Sequence, residues 1–330
     1  MANTKETLDL YELALLLNYE RASTEPRFRY AKLRETASAS SDFKTVLLDV
    51  PDWKQASGPK TGFVFDKRTP PVSARDVPDL PSNMLPNPIP ANLQGLSEKE
   101  VETIYWQARG HDGCYKSITL LQHFFDLYPE STKLRIRTSA GVEFTTTAST
   151  RVILEVKLLR PKLLTLSCVL PNQTYITGAG DTMLHAVAGF ARLEDENVSI
   201  VLDLASMQFG EAGRGLGGRS TFALESLDGF YDRVEKIAFG ADTANAKTSL
   251  RIGPCPDDVW LKGVARKVKQ RWEKRETEPW CGHCGAPGFG GKELRKCSAC
   301  REVYYCNAAH QAGAWQFHKR FCTARKTAAV

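Results

Sequence analysis

Apolar residues near the start of the chain recur at helical spacing. Leu8, Tyr11 and Leu15 form one row within residues 5–19. Apolar positions three and four residues apart are the pattern of a helix with one buried face. A helix is therefore predicted there. From the end of this helix to about residue 68, short apolar runs alternate with turn residues. The pattern predicts only a segment of mixed secondary structure there.

Two further helices are predicted in the middle of the chain. The segment LSEKEVETIYWQARG places Ser97 three residues before Glu100, and this pair is the capping box that begins a helix. The segment CYKSITLLQHFFDL, about 114–127, continues the helical pattern. Before them, residues 70–90 are rich in proline, which lacks the backbone donor of helix and sheet. That stretch is predicted to be an extended linker or a segment that wraps around the rest.

The pattern changes to strands between Lys133 and Asp203. Short runs rich in Val, Ile, Thr and Phe follow one another there, as is typical of β-structure. Helices followed by a series of strands favour an α+β fold with an antiparallel sheet. Beyond it, the glycine-rich residues 210–218 are predicted to be a flexible loop, and residues 222–238 a helix.

Composition narrows the class of protein. Charged residues make up 25% and hydrophobic residues 42% of the chain, which is typical of a globular protein. No apolar run approaches the roughly 20 residues that span a bilayer, and the N-terminus lacks the pattern of a secretory signal. We therefore expect an intracellular protein, in cytoplasm or nucleus, without a membrane partner. Clustered cysteines in that reducing environment favour metal binding or catalysis over disulfides.

The net charge of +6 is unevenly distributed. Residues 262–275, KGVARKVKQRWEKR, are strongly basic, so nucleic acid or an acidic partner must be considered. Aromatic residues are not interleaved as single-strand stacking requires. The favoured interpretation is therefore the solvated face of a connecting helix, and nucleic acid is the disfavoured alternative.

A dense group of cysteine and histidine residues near the C-terminus points to metal. Two CxxC pairs are followed by two pairs spaced four apart, each of which lies on one face of a helix. The eight ligand-type residues are Cys281, Cys284, Cys297, Cys300, Cys306, His310, His318 and Cys322. Eight nitrogen and sulfur ligands suffice for two tetrahedral zinc ions. His283 is not needed for this pattern, and chelation is expected to unfold this segment while the rest stays folded.

This segment closely resembles the MYND-type zinc finger. The resemblance spans Cys281 to Cys322 and includes the Tyr304-Tyr305-Cys306 run, Trp315 and the closing His318-x3-Cys322. It implies that the ligands alternate between the ions. One ion then takes Cys281, Cys284, Cys306 and His310, and the other takes Cys297, Cys300, His318 and Cys322. His310 stands where the family usually has cysteine. The resemblance further implies a protein-interaction module that often takes proline-containing peptides.

A second group of residues suggests thiol chemistry. Cys114 begins a predicted helix, and a helix N-terminus favours thiolate over thiol. His185 lies on a predicted strand and Asp203 on the next. A hairpin that turns near Glu194 brings these two side chains close. The three residue types then match a nucleophile, its base and the acid that orients the base.

The same residues resemble the papain-like superfamily, nearest its transglutaminase-like branch. The resemblance covers about residues 107–210 and rests on GCYKS before a helix, the strand with His185, and the run from Asp203 to Gln208-Phe209. It implies that Gln107, seven residues before Cys114, helps to form an oxyanion hole. The alternative is an ordinary buried cysteine with a satisfied histidine and a strand-end aspartate.

Together these observations predict five parts. They are a mixed N-terminal segment (1–68), a proline-rich linker (69–93), an α+β transglutaminase-like domain (94–258), a basic connecting helix (259–279) and a double-zinc MYND-type finger (280–323). The favoured function is zinc-dependent binding of a protein partner. The alternative is a cysteine hydrolase or acyl transferase that the finger brings to its substrate.

Overall fold

A computed structural model describes residues 7–37, 58–67, 69, 79–195, 197–215, 217–288 and 293–326. Pro70, Pro71 and Pro78 of the predicted linker lie outside these residues. The described helices are α1 (Leu10–Thr24), α2 (Pro81–Met84), α3 (Glu98–Gly110), α4 (Cys114–Phe125), α5 (Leu227–Ile237), α6 (Asp258–Glu273), α7 (Ala308–Phe321) and α8 (Thr323–Lys326). None of them is long and apolar enough to cross a membrane.

Within the described residues, the strands form four sheets. They are β1 (Leu8–Asp9), β2 (Ala31–Ala37), β3 (Lys60–Lys67), β4 (Lys133–Arg137), β5 (Glu143–Thr147), β6 (Arg151–Pro161), β7 (Leu164–Leu170), β8 (Gln173–Thr177), β9 (Thr182–Ala191), β10 (Val198–Asp203), β11 (Ala223–Ser226), β12 (Ala238–Ser249), β13 (Arg295–Lys296) and β14 (Tyr304–Tyr305). The largest sheet has the order β11-β10-β9-β6-β12 and is antiparallel throughout. The predicted α+β class and its antiparallel sheet are confirmed.

Two smaller sheets contain the parallel pairs that the sequence pattern did not indicate. A four-stranded sheet has the order β2-β3-β7-β8, in which β3 and β7 run parallel. A three-stranded sheet has the order β1-β4-β5, in which β1 and β4 run parallel. In both cases the partner strand lies more than 90 residues further along the chain. Local patterning carries no information about a pairing over that distance.

Helix α1 lies at the centre of the molecule. Asp9 caps it by accepting a hydrogen bond from the backbone N–H of Glu12 at 3.2 Å. Nearly every side chain of the helix is buried, on all faces. A helix buried all round belongs to an interior position, and α1 packs against α3, α4, α6 and β4. Because α1 lies at the centre, the C-terminal segment packs against it.

The remaining helix predictions are confirmed with one correction. Ser97 and Glu100 form the capping box of α3. The helix predicted at 222–238 instead starts with strand β11, and α5 begins only after Ser226, whose hydroxyl accepts from the Gly229 N–H at 3.1 Å. The apolar residues before Ser226 pair with β10. Part of the glycine-rich stretch also has regular structure, since two short 3₁₀ segments lie within Ser206–Gly213 on either side of a kink at Phe209 and Gly210.

The C-terminal segment shares a hydrophobic core with the N-terminal half. One cluster of buried residues contains Tyr19, Met84 and Trp106 together with Cys281 and Cys284. Met84 comes from the proline-rich stretch and is fully buried, so the described part of that stretch wraps onto the core. A small cysteine-rich segment cannot build a core of this size alone. It obtains one here from the rest of the chain.

Candidate metal centre and buried histidine site

The eight ligand-type residues of the C-terminal segment form two groups. One group is Cys281, Cys284, Cys306 and His310, and the other is Cys297, Cys300, His318 and Cys322. Within each group, the ligand atoms all lie within 4.8 Å of one another. These are the two alternating sets that the resemblance implied.

The donor atoms fit tetrahedral zinc. Cys284 Sγ lies 3.7 Å from Cys306 Sγ, and Cys281 Sγ lies 3.3 Å from His310 Nδ1. Tetrahedral zinc with Zn–S bonds of about 2.3 Å separates two thiolates by about 3.8 Å. In the other group, His318 Nε2 lies 3.3 Å from Cys297 Sγ. The two sites are therefore closed, with three thiolates and one imidazole each, and they fit two zinc ions.

Helix α7 supplies one histidine to each site, His310 to the first and His318 to the second. Asn307 caps this helix by accepting a hydrogen bond from the His310 N–H at 2.8 Å. This cap fixes the first turn, where His310 stands four residues after Cys306. At the other end, His318 and Cys322 are again four apart and close the second site. The prediction that each pair lies on one face of a helix is wrong for Cys306 and His310, because Cys306 precedes the N-cap residue Asn307.

The geometry agrees with the comparison with known families. Residues 281–322 match the family model of the MYND finger. This segment is a MYND finger. The match covers the finger alone, and no solved structure matches the chain. The zinc-binding part of the sequence prediction is thus confirmed.

The MYND finger is docked on helices α1 and α6. Arg271 of α6 donates hydrogen bonds to Glu20 Oε1 at 2.8 Å and to the carbonyl oxygen of Gly285 at 2.9 Å. It therefore joins α1 to the turn that follows Cys284. A Cβ atom on Gly285, which has φ = 77°, would lie 2.3 Å from the Leu15 carbonyl oxygen. Only glycine allows this close approach.

The second half of the finger contacts α1 through aromatic packing. The ring of Phe317 stacks on Tyr11 with a centroid distance of 3.4 Å. The Arg137 guanidinium lies over the Phe317 ring at 5.2 Å and forms an ion pair with Asp9 at 2.7 Å. Sequence analysis did not anticipate this docking, because it depends on contacts between segments some 300 residues apart.

His283 is not a zinc ligand. Its Nε2 lies 2.9 Å from Glu102 Oε1 on α3, and Glu102 also pairs with Arg214 at 3.1 Å. Burial raises the pKa of Glu102, but the hydrogen bond and charge of His283 and the charge of Arg214 outweigh it and lower the pKa to about 2. His283 therefore fastens the finger to α3, and Glu102 stays ionised at neutral pH.

The basic connecting helix is largely neutralised by its own surroundings. Lys262 pairs with Asp258, Lys267 with Glu20 at 2.8 Å, and Lys274 with Glu278 at 2.8 Å. Cations held in ion pairs have less charge to offer to a phosphate backbone. This pattern supports the solvated face of a connecting helix over a nucleic-acid surface, while the opposite face of α6 is buried in the core.

A separate group forms around His185. Its Nε2 lies 2.9 Å from Asp203 Oδ2, and both side chains are 1% exposed. In the β9–β10 hairpin, Leu202 pairs with Ala188, so His185 and Asp203 are diagonal neighbours on one face of the sheet. Gln208 Nε2 lies 3.3 Å from the other ring nitrogen, Nδ1.

Cys114 lies beside this pair. Its Sγ is 3.9 Å from the carbonyl oxygen of Leu184, the residue before His185, and the side chain is 3% exposed. The thiol stands at the first position of α4, whose N-cap is Gly113. A Cβ at Gly113 would lie 2.6 Å from the Gly110 carbonyl oxygen, so the tight turn into α4 requires glycine there. The structure therefore brings Cys114, His185 and Asp203 into one region.

A buried arginine completes the charge network. Arg233 of α5 lies 3.1 Å from Asp203 Oδ2 and 2.7 Å from Glu225 Oε1. Burial alone lowers the pKa of His185, but the charge and hydrogen bond of Asp203, with a smaller effect of Cys114, raise it to about 9. Burial likewise raises the pKa of Asp203, and His185 and Arg233 together lower it below its usual value. Arg233 was missed because no local motif marks it.

Gln107 is buried, and its side-chain amide already contacts other residues. Its Nε2 donates to Thr165 Oγ1 at 3.2 Å, and its Oε1 lies against Gly210. A role in an oxyanion hole would require the amide to leave Thr165. Its catalytic assignment, like those of Cys114, His185 and Asp203, stays a prediction.

Proposed function

We propose that this chain is an intracellular zinc-binding protein whose MYND finger contacts a protein partner. The observation that carries the proposal is the closure of both metal sites. Each ion takes four protein ligands, so neither keeps the open position that a catalytic zinc requires. MYND fingers are generally protein-interaction modules, and the finger here presents an exposed helical surface around Ala309 and Ala312.

Chemical cross-linking can test this proposal. The zinc-loaded chain is mixed with cell extract, cross-linked through lysine, and analysed by mass spectrometry. Partner cross-links are expected on Lys296 and Lys319 of the finger, both of which are exposed. Lys157 and Lys247, on the large sheet, are the matched control positions. Partner cross-links confined to the control lysines would contradict the proposal.

Thiol chemistry at Cys114 is a second candidate, supported by the contact between His185 and Asp203. In the hydrolase or acyl transferase that we propose, the Cys114 proton has passed to His185 Nδ1 before substrate binds, in keeping with the raised pKa of His185, and Cys114 Sγ then attacks an acyl carbon. The amine or alcohol then leaves with that proton, and water or a second amine resolves the thioester. Asp203 at Nε2 fixes the ring orientation. The papain- or transglutaminase-like fold of residues 94–258 belongs to this proposal.

Selective alkylation tests the second candidate. Iodoacetamide labelling is followed for each cysteine by mass spectrometry, with Cys168 on β7 as the matched buried control, since it is 1% exposed. Cys114 is expected to react faster than Cys168, and His185→Gln is expected to slow it. The Cys114 side chain is 3% exposed, so reaction requires local opening. Equal rates at the two cysteines would remove the catalytic assignment.

A further inference from the structure

A pocket of about 300 Å³ lies where the finger meets the rest of the chain. We refer to it as the junction pocket. Its walls come mainly from the segment 80–85, helix α3, and the ligands Cys284, Cys306 and His310 of the first zinc site, with Tyr19 of α1. Ligand pockets in proteins range from about 300 to 1,000 Å³. The junction pocket is therefore large enough for a short anchoring group.

The walls of the junction pocket are mainly apolar. Leu80, Pro81, Leu85, Leu96 and Val101 line it together with aromatic side chains of α1 and α3. A concave apolar surface with few polar groups is the usual composition of a binding pocket. The occupant therefore needs an apolar body.

The charged side chains that line the junction pocket are acidic. Glu98 and Glu102 line it, and no lysine or arginine does so among the residues that the structure describes. Glu102 is matched by Arg214, whereas Glu98 is exposed at the first position of α3. The first zinc site, with three thiolates and one divalent ion, adds a formal charge of about −1. The pocket is therefore complementary to a cation.

We propose that the junction pocket binds a lysine side chain flanked by apolar residues on a partner protein. The four-carbon stem of lysine covers apolar surface while its ammonium group stays at the polar rim, here beside Glu98. The flanking residues pack on Leu80 and Leu85. This proposal rests on the interaction role of the finger and adds to it the chemistry of the partner.

A pair of matched peptides tests this proposal. Acetyl-Leu-Lys-Leu-Pro-amide is titrated calorimetrically into the zinc-loaded full chain. The same peptide with norleucine in place of lysine keeps most of the stem and lacks the ammonium group. The lysine peptide is expected to bind at least about tenfold more tightly, a difference of about 1.4 kcal/mol. Its advantage should shrink as salt is added, because exposed charges are screened.

Three variants locate the site. Glu98→Gln is expected to remove most of the preference for lysine, whereas Glu235→Gln, an exposed position on α5, leaves it unchanged. Ser82→Trp places an indole at the rim of the pocket and is expected to abolish binding of both peptides. Equal affinities for the two peptides, or no binding of either, would overturn the proposal. Binding that Ser82→Trp leaves intact would also overturn it, but would leave the interaction role of the finger standing.

Discussion

The MYND finger and the region around His185 both gather cysteine and histidine side chains, but by different means. In the finger, all eight ligands fall within 42 residues, and short spacings bring most of them together. Around His185, Cys114 comes from a helix 70 residues away from the Leu184 carbonyl that it contacts. The first arrangement is specified locally and held by metal. The second depends on the register of a sheet and on a buried ion network.

The two regions also differ in which side chains remain available for a chemical reaction. The finger commits all eight ligand residues to its two metal sites and offers only its surface to a partner. The His185 region keeps a thiol without a metal, but it encloses that thiol against β9, the central strand of the largest sheet. Two similar sets of residues therefore support two different proposals, interaction for one and covalent chemistry for the other.

Removal of zinc should have the largest effect. Structural zinc contributes on the order of 10 kcal/mol to the folding of such segments. Because Cys281 and Cys284 share a core with Tyr19 and Trp106, we now expect chelation to loosen α1 and α3 as well as the finger. Hydrogen exchange of their backbone amides should rise. Val201, in another buried cluster, is the internal control, and unchanged exchange in α1 would restore the expectation of an independent finger.

Two cations that pair with the same carboxylate allow a test of how the finger is docked. Arg271 and Lys267 both pair with Glu20, but the Arg271 side chain is 9% exposed and that of Lys267 is 57% exposed. Arg271→Gln removes a buried partner of Glu20 and the hydrogen bond to Gly285, and we expect the lower end of about 3–5 kcal/mol because Lys267 still pairs with Glu20. Lys267→Gln should cost less than about 1 kcal/mol. Urea unfolding measures both, and similar losses would argue against docking through Arg271.

The His185 region should respond to the loss of one charge. Asp203→Asn removes the group that both His185 and Arg233 contact, at 2.9 and 3.1 Å. Breaking a buried pair in this way typically costs about 3–5 kcal/mol, and we expect the lower end because Glu225 still neutralises Arg233. Asp232→Asn, at an exposed position on α5, is the control. A melting temperature equal to that of the control would show that the network contributes little.

The free energy of unfolding is also expected to depend on pH through His185, with a smaller effect than that of Asp203→Asn. The pKa of His185 is raised from 6.5 to about 9 by Asp203, against the opposing effect of burial. The protonated form is therefore favoured in the folded state, and the stabilisation is fully present below pH 6.5 and is lost as pH rises through about 9. The loss should be about 1–3 kcal/mol, since one pKa unit corresponds to 1.4 kcal/mol.

His185→Gln provides the control for this pH dependence. The variant keeps a polar side chain without a titrating ring, so its free energy of unfolding should fall less between pH 6.5 and 9 than that of the unchanged chain. Denaturant unfolding at each pH, with zinc present throughout, gives the comparison. If the free energy of unfolding changed equally with pH in the two proteins, His185 would not be protonated in the folded state as described.

The sequence was sufficient where the information is local. The capping box of α3, the start of α4 at Cys114 and both ligand sets could be predicted from spacing or from the resemblance that the spacing supports. The β9–β10 hairpin was also predicted, because a polar turn between two apolar runs fixes the register within a few residues. These features depend on residues close to one another in the chain.

The rest depends on contacts that spacing does not encode. Nothing in the residues around Arg271 indicates that it joins Glu20 to Gly285, and nothing around Arg233 places it on Asp203. Parallel pairing of β3 with β7 joins strands some 100 residues apart. Such contacts are chosen by the total burial of the fold, which no short motif determines.

Metal analysis of the purified chain shows directly whether the finger holds two zinc ions. Zinc is measured by mass spectrometry against a protein concentration from amino-acid analysis, together with the ligand variants Cys284→Ser and Cys300→Ser. Two zinc ions per chain are expected, because the two groups offer four donor atoms each, and either variant should contain less zinc. One ion or none in the unchanged chain would contradict it.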